Sequence, residues 1–206
     1  MLTLYFAPGA CSFVPHVALE AAKAEFEPKL VKLHRGEHRT PEYLALNPNA
    51  QVPVLVVDGR PLTQIVAIAD FLDRRFPQAG LLPADAWERS QALSRLAWMN
   101  STPHTTMTRF FFPERYAETQ GARDEVKQRA AREFRGHLER LQEMIPGKAY
   151  CFHDAYAFTL LRWGGFAGID PNSLPRYKMH MEKVMQAEAF KAAIARERIA
   201  LDTYKG

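Results

Sequence analysis

Two cysteines, Cys11 and Cys151, are too few for a disulfide framework. Val14 stands three residues after Cys11, where a dithiol motif needs its second cysteine, which argues against a Cys-x-x-Cys redox cycle. No run approaches the roughly 20 continuous apolar residues of a membrane span. The opening MLTLYFAPGACSF lacks a basic start and a long apolar stretch, so it does not read as a secretory leader, and a reducing cytoplasm is the expected location. There is no internal repeat and no low-complexity tract. Charge is scarce in net amount: +4 overall, with a pI near 9.1. That suits an anionic small ligand, but it is too weak and too evenly spread to argue for nucleic acid. The basic residues at Arg74-Arg75 and from Arg123 to Arg135 are interleaved with acids, as on solvated helix faces. His34 and His38 are four apart, but Gly36 lies between them and no further ligand is near, so no metal site is expected.

What is present is ordinary for a soluble globular chain: 206 residues, 47% hydrophobic and 24% charged. Leu2 to Phe6 is a short β-prone run ended by Pro8-Gly9. Cys11 to Lys23 has helical periodicity, and Phe26 to Leu33 alternates as a strand. A short helix is predicted at Pro41 to Leu44. A strand follows from Val52 to Val57, with a turn at Asp58-Gly59 and a return strand at Arg60 to Thr63. Ile65 to Phe76 reads as an amphipathic helix. Pro53 cannot donate to a strand ladder, so it marks an edge, a bulge or a cis bond. Beyond a linker at 78–86 the composition changes, and helices are predicted at 87–118, 122–145, 153–166, 175–185 and 188–198. The expected domains are therefore 1–77, α/β, and 87–206, all helical.

The βαβ–ββα order, a cysteine at the first helix start and a strand-bound proline describe a thioredoxin-like fold. Several runs resemble the glutathione transferases, in particular the bacterial beta class. They are Tyr5 to Ser12 with Pro15-His16, Asn47 to Leu55, Leu62-Thr63-Gln64, Trp98-Met99-Asn100 and Asp154 to Trp163. The resemblance spans nearly the whole chain. It implies a glutathione-binding enzyme of detoxification type, which conjugates glutathione to an apolar or electrophilic small molecule or exchanges thiol and disulfide. It also implies a homodimer.

Candidate site residues follow. Cys11 at a helix N-terminus is expected to have a lowered thiol pKa, because free N–H groups and the helix dipole favour an anion. It can form a mixed disulfide or donate to the glutathione thiolate, and Ser12 is a second candidate donor. Tyr5 reads as packing. Val52, before Pro53, presents backbone groups to an extended ligand. Gln64 and Ile65, at a strand-to-helix junction, offer a carboxylate site. Ile65 departs from the family's hydroxyl residue, and one lost hydrogen bond to a charged group costs about 1.5–3 kcal/mol. Arg35 is placed to reach the glycine carboxylate. Asn100 matches a cleft-facing asparagine of the resembling class. The histidine expected seven residues later is Met107, leaving His104, one turn earlier, as the catalytic candidate. Phe110 to Phe112 read as core or as a substrate wall. Asp154 is expected to cap its helix, where Cys151 replaces the usual hydroxyl residue. The alternative reading, supported by Ile65 and Met107, is a non-catalytic binding protein of the same fold with weakened glutathione binding.

Overall fold

The structure, a computed structural model, describes residues 1–144 and 151–201. Its N-terminal half runs β1 (Leu2–Phe6), α1 (Phe13–Ala21), β2 (Phe26–Leu30), α2 (Pro41–Leu46), β3 (Val54–Val57), β4 (Arg60–Thr63) and α3 (Ile65–Arg75). The sheet order is β2-β1-β3-β4. The β1–β2 pair is parallel, and the β1–β3 and β3–β4 pairs are antiparallel. The two strand prolines, Pro28 and Pro61, fall on the edge strands, where a missing N–H costs least. Pro53 precedes β3 through a cis bond to Val52, so β3 begins at Val54 rather than Val52. The second strand is also shorter than predicted. It ends at Leu30, and two 3₁₀ turns, Leu33–Arg35 and Glu37–Arg39, lead to α2.

The C-terminal half is α4 (Ala86–Ser101), α5 (Pro103–Phe111), α6 (Gln120–Met144), α7 (Cys151–Phe166), α8 (Pro175–Val184) and α9 (Glu188–Glu197). The single helix predicted over 87–118 is two. Proline in mid-helix lacks the N–H and clashes with the preceding turn. Thr102 leaves ideal geometry (φ −118°, ψ −73°), and Pro103 opens α5 at its first position, where proline is tolerated.

Both halves share one core. α1 is buried along Phe13 to Leu19, because the sheet side and the helical half cover opposite faces of it. Phe13 stacks on Phe158 of α7 (4.8 Å between ring centroids) and meets Phe190 of α9 edge to face (5.9 Å). α7 is the central helix, hydrophobic on all sides and buried over most of its length. Arg89 of α4 closes the seam from the other side. It forks Asp70, at 2.5 Å, and Asp73 of α3, while Asp73 also accepts the Leu82 N–H. Asp154 pairs with His180 Nε2 at 2.7 Å and so ties α7 to α8. The helix start that Asp154 was expected to cap adjoins residues 145–150, outside the described residues.

Candidate active site

The two halves meet around a cavity of about 940 Å³. Its N-terminal wall comes from loops: Gly9 to Cys11, the turns carrying His34, His38 and Arg39, Val52-Pro53, and Gln64-Ile65 where α3 begins. Its other wall comes from helix side chains, among them Asn100, His104, Phe111 and Trp163.

The segment before Pro53 is pinned from below. Thr40 caps α2 by accepting the Tyr43 N–H. The Tyr43 hydroxyl and the Asn47 side-chain amide then both donate to the Gln51 carbonyl, at 2.8 Å each. This fixes Val52, whose carbonyl accepts the Cys11 S–H at 3.3 Å. Cys11 does not have the lowered pKa expected of it. α1 begins at Phe13, so Cys11 sits in the turn before the helix, and only 7% of it is exposed. Burial pushes its thiol up to about 12, and the Glu197 carboxylate adds to the rise. The N–H groups of Cys11 and Ser12 act in the expected direction but are outweighed.

Ser12 is not available to a ligand. It is fully buried, accepts the Ala7 N–H at 3.1 Å and donates to the Ala7 carbonyl at 3.2 Å, stapling the loop. Arg35 is also displaced from its expected role: it is exposed and does not line the cavity, whereas His34, His38 and Arg39 do. Gln64 and Ile65 both line the cavity. Gln64 holds φ +71°, a region costly for a residue with a side chain. The Ile65 side chain points into the core at 4% exposure, so what it offers the cavity is its N–H.

Asn100 and His104, on separate helices, converge on Tyr156 of α7. The Tyr156 hydroxyl donates to Asn100 Oδ1 at 3.0 Å and lies 2.5 Å from His104 Nδ1. With that proton on Asn100, His104 donates from Nδ1 and keeps Nε2 as an acceptor. Burial holds the imidazole down to about 4, hence neutral at pH 7. Met107 is fully buried in the core, so position 107 presents nothing to the cavity.

A second set of residues carries no signal of its own in the sequence. Gly9 has φ +66°, and a Cβ there would lie 2.4 Å from Arg162 Nη1. Its N–H donates to Glu197 Oε2 at 2.9 Å, and its carbonyl accepts from Trp163 Nε1 at 3.0 Å. Glu197 Oε1 in turn holds His16 Nδ1 at 2.7 Å, both side chains being fully buried. The loop that carries Cys11 is thus clamped by the helical half. Tyr156, Arg162 and Trp163 stand inside the run that carries the resemblance, yet nothing in that run fixes which way they face. Glu197 is one of many helical glutamates.

Among the described residues no group of His, Cys, Asp and Glu is arranged to hold a metal ion, and no helix is long and apolar enough to cross a membrane.

Comparison with known proteins agrees with this geometry. Residues 1–74 match the family model for the glutathione S-transferase N-terminal domain. The glutathione S-transferase GST-4.5 of Xanthomonas campestris pv. campestris is 31% identical, over 95% of this chain and 98% of that protein. A glutathione transferase homologue from Sulfitobacter, solved with bound glutathione, superposes with a TM-score of 0.91. It is 26% identical and covers 97% of this chain and 99% of that one. The bacterial beta-class enzyme of Sphingomonas chungbukensis superposes at 0.84 with 29% identity, over 96% of this chain and 100% of that one. A thioredoxin-like half, a helical half and a shared cavity, together with near-complete alignment to such a relative, place the chain in the glutathione S-transferase family.

Proposed function

We propose that this protein conjugates glutathione to electrophiles, with Cys11 acting as a hydrogen-bond donor to the glutathione sulfur. The observation that carries this reading is the Cys11 S–H resting on the Val52 carbonyl. A thiol pushed up to about 12 is protonated at neutral pH, and it is therefore a donor rather than a nucleophile. An extended peptide that pairs with Val52 takes over that carbonyl. The S–H is then free to turn to the incoming sulfur and stabilise its thiolate. Thiol–disulfide exchange would need a Cys11 thiolate, which burial disfavours.

The remaining contacts follow the walls. The γ-glutamyl carboxylate faces the N–H groups at the start of α3, beside Gln64 and Ile65, where the helix dipole favours an anion. Because these are backbone donors, the missing hydroxyl at Ile65 leaves them in place. The glycine carboxylate is taken by Arg39 with His38 rather than by Arg35. His104, held by Tyr156 and Asn100, adds a hydrogen-bonding nitrogen to the wall facing the co-substrate without adding charge. The resemblance extends the reading to a cytoplasmic homodimer, and sedimentation of the purified protein at the mass of one chain would remove the dimer from it.

Turnover of chlorodinitrobenzene tests the donor role. Removing one hydrogen bond to a charged sulfur is worth about 1.5–3 kcal/mol, so Cys11→Ala should lower kcat/KM roughly 10- to 150-fold. Cys11→Ser, which keeps an O–H, should retain more than Cys11→Ala. An unchanged Cys11→Ala, or a serine variant no better than alanine, would overturn the assignment.

A further inference from the structure

The helical wall of the cavity carries two kinds of side chain. The first is aromatic. Phe111 meets Trp163, Phe166 and Phe112 edge to face, with ring centroids 5.7, 5.9 and 6.4 Å apart. Phe111, Phe112 and Phe166 are each more than a third exposed, a large apolar area left open at the cavity mouth. The second is cationic. Arg115 lies 4.2 Å from the Phe112 centroid, and Arg162 lies 5.2 Å from that of Phe166. Both arginines line the cavity, together with Arg39.

Arg162 acts electrostatically on the buried Glu197 carboxylate, which is already committed to His16 and the Gly9 N–H. No Asp or Glu lines the cavity. Among the described residues neither Arg115 nor Arg162 has an ion-pair partner, whereas Arg89, Arg109, Arg176 and Arg196 each hold one. Arg162 Nε is buried and makes no hydrogen bond. Arg39 and Arg115 act on the same point from opposite halves, since both depress the ionisation of His38, which burial already lowers. A guanidinium stacked on a ring has its plane set by that ring. Its planar fork matches a carboxylate, which a lysine would not.

Glutathione does not use up this charge. In the reading above, its two carboxylates fall to the α3 N-terminus and to Arg39 with His38, all in the N-terminal half. Arg162 and Arg115 come from the helical half, on the side where the electrophile must sit, with Arg115 near enough to Arg39 that both act on His38. We propose that the co-substrate is an anionic electrophile, a carboxylate on an aromatic or otherwise apolar body, with its ring against Phe111 and Phe166 and its carboxylate held by Arg162 and Arg115. This rests on the transferase reading above.

A matched pair of probes separates the two. One is the benzoate bearing chlorine para and nitro meta to its carboxylate, and the other is the corresponding benzamide, near in shape but neutral. In both, the glutathione sulfur attacks the chlorine-bearing carbon. The C–Cl bond breaks, chloride leaves with the bonding pair, and the thiol proton passes to buffer. Each kcat/KM is divided by the rate constant of the uncatalysed reaction with glutathione. The benzoate should be preferred by about tenfold or more, as expected for a charge-assisted contact. Arg162→Gln and Arg115→Gln should each reduce that ratio, and the double variant should bring it near one. Equal treatment of the two probes, or a preference that survives in the double variant, would overturn the proposal. If neither probe is turned over, the transferase reading fails, and calorimetry with the two ready-made glutathione conjugates still decides the anion preference. About tenfold tighter binding of the carboxylate conjugate supports it. Equal binding, or no binding of either, defeats it.

Discussion

The two walls of the cavity are built from different material. The N-terminal wall comes from loops: the Gly9–Cys11 turn, Val52 with its carbonyl, the start of α3, and the turns that carry His38 and Arg39. The helical wall offers side chains: Asn100, His104, the Phe111 cluster, Arg115 and Arg162. A backbone site keeps its donors and acceptors through most side-chain changes, provided that the fold holds. A side-chain wall changes with every substitution. The invariant ligand therefore belongs on the first wall and the variable one on the second, and specificity should be sought in α5 and α7 and in the turn after α5.

The largest effect is expected at the seam between the walls. Glu197→Ala leaves the buried His16 ring and the Gly9 N–H without their partner. Removing one member of such a buried pair costs about 3–5 kcal/mol, which urea unfolding should show as a lower midpoint at unchanged slope. A loss below about 1 kcal/mol would mean that the loop is held by other contacts. Next comes a pH effect located in the side-chain wall. His104 is held down to about 4 when folded, against 6.5 for the free side chain. Its contribution is present in full above pH 6.5. It is lost as pH falls toward 4, because the unfolded chain takes the proton first. The span corresponds to about 3 kcal/mol, and His104→Gln should flatten that part of the stability–pH curve. An identical slope in the variant would show that other groups carry it. The smallest effect is expected on the backbone wall. Ile65→Ala should cost about 2–4 kcal/mol of stability, since the side chain fills the core. Its glutathione dissociation constant should move by no more than about threefold, or roughly 0.7 kcal/mol. A much larger loss of affinity would show that the residue acts through more than its N–H.

The sequence located the backbone wall better than the side-chain wall. Strand and helix periods, the Asp58-Gly59 turn and Pro53 are local signals. They placed Val52, Gln64 and Ile65 where the structure has them lining the cavity. Pro103 lies inside the helix predicted over 87–118, and the chain parts there into α4 and α5. Arg35 is exposed and off the cavity lining, because the loop after β2 has no strong period and two 3₁₀ turns, with Arg39 lining the cavity, stand where a longer strand was predicted. Ser12 was misassigned because a hydroxyl at a helix start looks free until the partner loop is known.

By itself, then, the sequence determined the order of elements in the thioredoxin-like half and a thiol close before its first helix. Only the tertiary structure decided that the pKa of this thiol is raised and not lowered, because desolvation depends on everything that covers it. Burial under the helical half and a carboxylate 186 positions away in the chain outweigh the helix-start amides that the sequence could foresee. The same holds for Tyr156 between Asn100 and His104, and for Glu197 and Trp163 on Gly9. Each joins residues far apart in the chain, and no local pattern encodes a meeting that packing brings about.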